Sequence, residues 1–138
     1  MDSFNGKIAV VTGGGTGMGR ELCIQLVKEG CAVATCDVMM DNLNETKALC
    51  NEAAPDVAVT LHQCDVSSEA EMLRFRDEVV AAHGDKINLV FNNAGIGGGG
   101  SVTSEETRDE WERTFNVCWY GVYYSCRAFM PHVIAADE

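Results

Sequence analysis

The residues best suited to chemistry come early in the chain. Positions 12–19 read Thr12-Gly13-Gly14-Gly15-Thr16-Gly17-Met18-Gly19, with an apolar, β-branched run before them and helical spacing after. Glycines between a strand and a helix permit a tight turn, let backbone approach a pyrophosphate and let the helix pack near the strand. The phosphates then rest on free N–H groups at the helix N-terminus, aided by its dipole. About 20 residues on, the next apolar run ends at Asp37, whose carboxylate can accept both hydroxyls of a ribose. A 2′-phosphate would sit against Asp37 with Asp41 nearby, and no Lys or Arg lies between Thr35 and Asp41 to neutralise it. The pattern therefore predicts NAD rather than NADP. S-adenosylmethionine is the alternative ligand, because methyltransferases also use a glycine turn and an acid in this way. The plainer reading is that the glycines only shape a turn and Asp37 is a surface acid.

The elements that must position these residues follow from periodicity. Residues 7–12 predict a buried parallel strand. Residues 17–30 predict a helix, with Leu22, Leu26 and Val27 on its apolar face and Gly30 as its C-terminal cap. Residues 31–37 read as a second strand and 41–53 as a second helix, with Asp41 or Asn42 near its start. After the break at Pro55, residues 57–64 form a third strand. Residues 67–82 form a third helix, capped by Ser67 or Ser68 and followed by Glu69 and Glu71. Residues 87–92 are a fourth strand. This alternation predicts a parallel sheet with right-handed crossovers, covered on both faces. Residues 94–104 then form a glycine-rich loop, and helical spacing runs from about 103 to 133 with a kink. No internal repeat or linker interrupts residues 1–138, so a single domain is expected.

The bulk properties narrow the function classes. The chain has 138 residues, 46% of them hydrophobic, as a globular protein requires. A net charge of −11 argues against nucleic acid or an anionic membrane surface as a partner, because phosphates would be repelled. The seven cysteines are odd in number and none has CxxC spacing, so they read as reduced, mostly buried thiols in a cytoplasmic protein. The first six residues carry no secretory signal, and no apolar run approaches the ~20 residues of a membrane span. His62, His83 and His132 are scattered, so no metal site is expected.

The glycine spacing is TGxxxGxG. Asp65-Val66 follow the third strand, Asn92-Asn93-Ala94-Gly95 follow the fourth, and Asn116 stands in Phe115-Asn116-Val117. These motifs, in this order over essentially the whole chain, resemble the short-chain dehydrogenase/reductase family. A methyltransferase has no reason to carry the NNAG segment. The resemblance implies an α/β fold with a Rossmann-type doubly wound parallel sheet, truncated here after the fourth strand and the long helix that follows. It implies that Gly13, Thr16, Gly17, Met18 and Gly19 cradle the pyrophosphate and that Asp37 takes the adenine ribose. Asp65 would accept from the adenine amino group and Val66 would meet the ring through its backbone. Asn92, Ala94 and Gly95 would border the cofactor ribose and brace the sheet. The plainer reading of Asn92 and Asn93 is buried amides paired with strand backbone. Asn116 would stand at a kink in the long helix and hold a water in a proton relay that continues to a lysine, a tyrosine and a serine. The tyrosine would exchange a proton with the substrate oxygen, and nicotinamide would supply or take the hydride. The implied activity is an NAD-dependent oxidoreductase acting on an alcohol or ketone, and the implied assembly is a homo-oligomer.

The chain also departs from the family's pattern. A serine strand and a YxxxK helix would follow after position 138, and the last lysine is Lys86. Tyr123 and Arg127 stand four apart, but an arginine does not readily titrate. Trp119, Tyr120, Tyr123 and Tyr124 read instead as packing residues, with Arg127 on a partner surface. The alternative reading is accordingly a non-catalytic nucleotide-binding fragment. In that form the fourth strand is an unpaired apolar edge. The long helix, which in the family packs against its twin, exposes some of Trp119, Tyr120, Tyr123 and Phe129.

Overall fold

Unbroken apolar runs need cover on both faces, and helices packed on the two sides of one sheet give it to them. The computed structural model describes residues 3–137, so Met1 and Asp2 at the polar start of the chain, and Glu138, lie outside the described residues. The chain runs β1 (Ile8–Thr12), α1 (Gly17–Lys28), β2 (Ala32–Asp37), α2 (Met40–Ala53), β3 (Val59–Gln63), α3 (Glu69–His83) and β4 (Leu89–Phe91). All strand pairs are parallel, in the order β3-β2-β1-β4, with Val10 opposite both Ala34 and Val90. After β3 the chain crosses to the other side of β1. The strand order therefore reverses between β1 and β4, and the loops leaving those two strands diverge there.

Side chains alternate across the sheet. On β1, Ala9 and Val11 pack with Cys23, Leu26 and Val27 of α1, whereas Val10 packs with Met72, Phe75 and Val79 of α3. Each fully buried valine contributes ~1.5–3 kcal/mol by leaving water. Burial also pushes the Cys23 thiol up to about 12 and the Cys31 thiol up to about 11, so both stay protonated and behave as small apolar groups.

Element ends moved by a few residues for identifiable reasons. α3 starts where Ser68 caps it, the serine hydroxyl accepting from the Glu71 N–H at 3.3 Å. β4 is shorter than residues 87–92 because the Ile87 N–H donates to His132 rather than to a strand, at 3.3 Å. The long helix is divided into a 3-10 turn (Glu105–Thr107), α4 (Arg108–Phe115), a π-helical turn (Asn116–Tyr120) and α5 (Gly121–Ala136). The interruption expected in this helix is a π-helical turn, at Asn116–Tyr120. Among the described residues no helix is long and apolar enough to cross a membrane.

The aromatic residues of this segment divide by helix face. Phe129 is fully buried and meets Phe75 edge-on, with ring centroids 5.5 Å apart. Trp119, Tyr120 and Tyr123 are exposed, Trp119 to 67%, so within this chain they are not the packing residues that their spacing predicts. The buried face of α5 consists of Gly121, Ser125, Ala128 and Phe129, with Tyr124 half-buried against the same core, and Tyr123 is left on the far side.

Candidate cofactor site

Thr12, at the end of β1, ties together the two loops that leave the switch point. Its hydroxyl accepts from the N–H groups of Asn93 and Ala94, each at 3.1 Å, and donates to the Phe91 carbonyl at 3.4 Å. The Asn93 amide donates to the carbonyls of Thr12 (3.0 Å) and Gly13 (3.1 Å). It thereby pairs strand-end carbonyls that the sheet itself leaves open. Asn92 points the other way, its amide nitrogen 3.7 Å from the Cys126 sulfur on α5. Successive residues of extended chain face opposite sides, so only one of the two asparagines can brace the turn. A Cβ on Gly13 would lie 2.7 Å from the Ala94 Cα, so the two loops meet at backbone distance, with Gly13 at φ 70°.

β2 delivers the acid. The N–H groups of Gly13 and Gly14 both donate to the Cys36 carbonyl, at 2.8 and 3.1 Å, and hold the turn against the end of the strand. The next residue is Asp37. Its Oδ2 accepts from the Gly15 N–H at 3.0 Å and its Oδ1 from the Met39 N–H at 3.2 Å. A carboxylate offers about four lone-pair sites. Two backbone bonds therefore fix its orientation and leave capacity for hydroxyls of a ligand.

α1 supplies a receptive N-terminus. Thr16 is the N-cap residue, but its side chain makes no capping bond, and no acid stands in the first turn. The leading N–H groups of a helix lack carbonyl partners, and here no negative side chain in that turn competes for its dipole.

Beyond β3, Asp65 Oδ1 accepts from the Ser67 N–H (2.9 Å) and hydroxyl (2.6 Å), a local turn that leads into α3. A Cβ on Gly121 would lie 2.8 Å from Val66 Cγ2, so the start of α5 closes directly on Val66. Cys36 lies behind this wall. The Cys64 side chain beside it, followed by burial, raises the Cys36 thiol well above its ordinary range, and it stays neutral.

These groups surround one cavity of about 420 Å³. Of the residues predicted from sequence, Gly13, Thr16, Met18, Gly19, Asp37, Asp65, Val66, Ala94 and Gly95 line it. Gly17, Asn92 and Asn116 do not. The fold adds Val38, Cys64, Ser67, Asn93, Ile96, Arg113 and Val117. Arg113 and Val117 stand four apart, one helical turn, which is the one sequence signal that could have found them. Arg113 is the only cation among the lining residues. Asn116 opens the π-helical turn with its side chain exposed. That turn reaches the glycine-rich loop through Val117, at the cavity, and through Cys118, whose thiol donates to the Ile96 carbonyl at 3.5 Å. Arg127 donates to the Tyr123 hydroxyl at 3.2 Å on the outer face of α5, and neither residue lines the cavity. Among the described residues no group of three or more His, Cys, Asp or Glu could hold a metal ion.

Comparison with known proteins agrees with this geometry. Residues 7–138 match the family described as short chain dehydrogenase. SadH of Mycobacterium tuberculosis, described as an oxidoreductase, is 39% identical over 138 residues, covering 100% of this chain and 49% of that protein. A short chain dehydrogenase/reductase from Burkholderia phymatum, solved in complex with NAD, superposes with a TM-score of 0.90 at 33% identity, covering 100% of this chain and 48% of that one. An alcohol dehydrogenase from Thermococcus sibiricus, complexed with 5-hydroxy-NADP, superposes with a TM-score of 0.86 at 27% identity, covering 94% and 51%. The chain spans about half the length of the relatives it matches. Motif order, sheet topology and the match over residues 7–138 agree: this chain belongs to the short chain dehydrogenase family.

Proposed function

We propose that this chain is the NAD-binding part of an oxidoreductase that transfers a hydride between nicotinamide and a small-molecule alcohol or ketone. One observation carries the reading. Asp37, held by two backbone N–H groups at the end of β2, faces the same cavity as the uncapped, acid-free N-terminus of α1. An acceptor for a ribose diol and a seat for a pyrophosphate thus share one cavity. The backbone contact between Gly13 and Ala94 keeps side chains out of that seat, which suits close approach of a dinucleotide.

In this reading Gly13, Thr16, Gly17, Met18 and Gly19 hold the pyrophosphate, and Gly17 does so through its N–H alone. Asp37 accepts from the adenine ribose, and Asp65 and Val66 meet the adenine. Ala94 and Gly95 border the second ribose, while Asn93 holds the strand ends in register and Asn92, turned towards Cys126, is left outside the cavity. Asn116 is assigned to the proton relay of the full-length enzyme. Bound nicotinamide would supply or accept the hydride. The reading extends to a cytoplasmic homo-oligomer. Five buried free thiols support a reducing compartment, and the exposed Trp119, Tyr120 and Tyr123 support self-association. A second reading is nucleotide binding without catalysis by this chain, since the residues that line the cavity include the cofactor-facing groups but no tyrosine or lysine.

Calorimetry with NAD and with NADP tests the proposal. The wild-type chain should bind NAD more tightly. Asp37→Ala should weaken NAD roughly tenfold to a hundredfold, since bonds to a charged acceptor contribute ~1.5–3 kcal/mol, and should narrow the preference over NADP. No heat of binding with either nucleotide would sink the reading. Unchanged relative affinities in the variant would refute the role of Asp37. NAD-dependent oxidation of simple alcohols by the same sample would separate the enzymatic reading from the binding-only one.

A further inference from the structure

Asp37 can discriminate between cofactors only if its carboxylate is held still, and the structure contains a device that holds it. Its Oδ2 accepts from the N–H of the Gly14–Gly15 peptide at 3.0 Å. The carbonyl of that same peptide, on Gly14, accepts from the Thr46 hydroxyl at 2.8 Å, closer than the hydroxyl's other acceptors, the carbonyls of Asn42 at 3.0 Å and Gly15 at 3.4 Å. Thr46 lies on α2 and is fully buried. Its oxygen in turn accepts from Arg20 Nε on α1 at 3.1 Å. The line runs from a guanidinium through a hydroxyl and a peptide to a carboxylate, with every donor pointing the same way. Hydrogen bonds aligned in series between opposite charges polarise and strengthen one another.

The surroundings leave this line few substitutes. A Cβ on Gly15 would lie 2.7 Å from Asp37 Oδ2 and 3.0 Å from the Asn42 Cβ, so position 15 has no side chain of its own to fix the turn. The guanidinium also donates to the Gly15 carbonyl, from Nε at 3.0 Å and from Nη2 at 2.6 Å. Glu45, 2.8 Å from Nη2, compensates its charge. Arg20 is therefore occupied on both sides, and its charge is not free to attract a 2′-phosphate beside Asp37. Neither Arg20 nor Thr46 lines the cavity, so both would act on a ligand through Asp37.

We propose that Thr46 and Arg20 are positioning residues that orient Asp37 through the Gly14–Gly15 peptide and so set the preference for NAD over NADP. The inference rests on the cofactor reading above. Its test is a double-mutant cycle on nucleotide affinity, measured by calorimetry on the full chain. Thr46→Val should lower the ratio of NAD to NADP affinity about tenfold, the scale of one bond to a charged acceptor. Thr46→Ser, which keeps the hydroxyl, should restore the ratio. In an Asp37→Ala background Thr46→Val should leave the ratio unchanged, because the group it orients is gone. If Thr46→Val does not melt cooperatively, Arg20→Gln is measured in the same cycle and should move the ratio in the same direction. A wild type that binds neither nucleotide overturns the underlying reading. A wild type that prefers NAD, with a ratio indifferent to Thr46→Val and Arg20→Gln, overturns only the positioning role. An equal change in the wild-type and Asp37→Ala backgrounds also overturns it, because a merely structural effect is additive.

Discussion

Gly13 and Gly19 are demanded by the backbone of neighbouring segments, whereas the nearest atoms that a side chain at residues 97–100 would meet are side chains, or there are none at all. A Cβ on Gly13 would strike the Ala94 backbone, and one on Gly19 would run into the Gly13 carbonyl. Gly97 has no atom within 4 Å of such a Cβ, and the nearest atoms at Gly98, Gly99 and Gly100 belong to the side chains of Thr114 (2.8 Å), Trp111 (3.0 Å) and Thr107 (2.5 Å). The first segment is fastened to the ends of three strands, through Cys36, Asp37, Thr12 and Asn93. The second leans on α4, which has no buried residue. Backbone cannot move aside without breaking a strand, but a surface side chain can rotate. The first segment is therefore held rigidly, and the second is a loop with room to adjust.

Several measurements would break or sharpen this contrast, beginning with the largest effect. Gly19→Ala should cost about 1–3 kcal/mol through overpacking and abolish nucleotide binding, while Gly97→Ala should stay within about 0.5 kcal/mol and bind normally. Thermal melts and calorimetry on both variants decide it, and equal damage from the two would dissolve the distinction. Next is Arg113 on α4, which lines the same cavity as the first segment. Arg113→Gln should weaken NAD by up to about fivefold, the reach of an exposed charge, and the loss should shrink as salt is added. An effect that survives high salt would mean a contact other than charge.

The smallest effect concerns pH and lies away from both glycine segments. His83 at the end of α3 contacts the Thr60 hydroxyl at 2.9 Å; the same hydroxyl meets His62, which contacts Glu78 at 2.7 Å. Burial, followed by the neighbouring His62, lowers the proton affinity of His83 below its ordinary value of 6.5. The unfolded chain therefore takes up that proton first as pH falls. Stability that is complete above pH 6.5 is lost as pH drops through and below it. Melting temperatures at pH 7.5 and 5.5 should differ in that direction, and His83→Gln should narrow the gap. A gap unaltered in the variant would assign the effect to another group.

Most of the architecture was legible in the chain, because its signals are local. Residues 8–12 and 32–37 are apolar runs ended by a glycine turn and an acid, and they are strands in the structure. Ser68 caps α3 because a serine ahead of Glu69 and Glu71 offers an acceptor just where helix N–H groups lack one. Asp37 sits at the cavity because the strand that carries it ends there. What depends on direction was not legible. Asn92 and Asn93 are adjacent and chemically identical, yet extended backbone turns one towards Thr12 and the other towards Cys126. Asn116 matches a motif by position, but the π-helical turn resets the phase of the helix, and Val117 and Cys118 are the residues that reach the loop. Arg113, Thr46 and Arg20 bear on the site from helices far apart in sequence. The succession of strands and helices along the chain, the glycine turn and the acid were thus set by residue type and spacing alone, because each is a property of a few consecutive residues. Which side chains converge on the cavity, and what holds Asp37 in its orientation, was decided by packing, because those distances exist only once helices from separate parts of the chain are laid against the sheet.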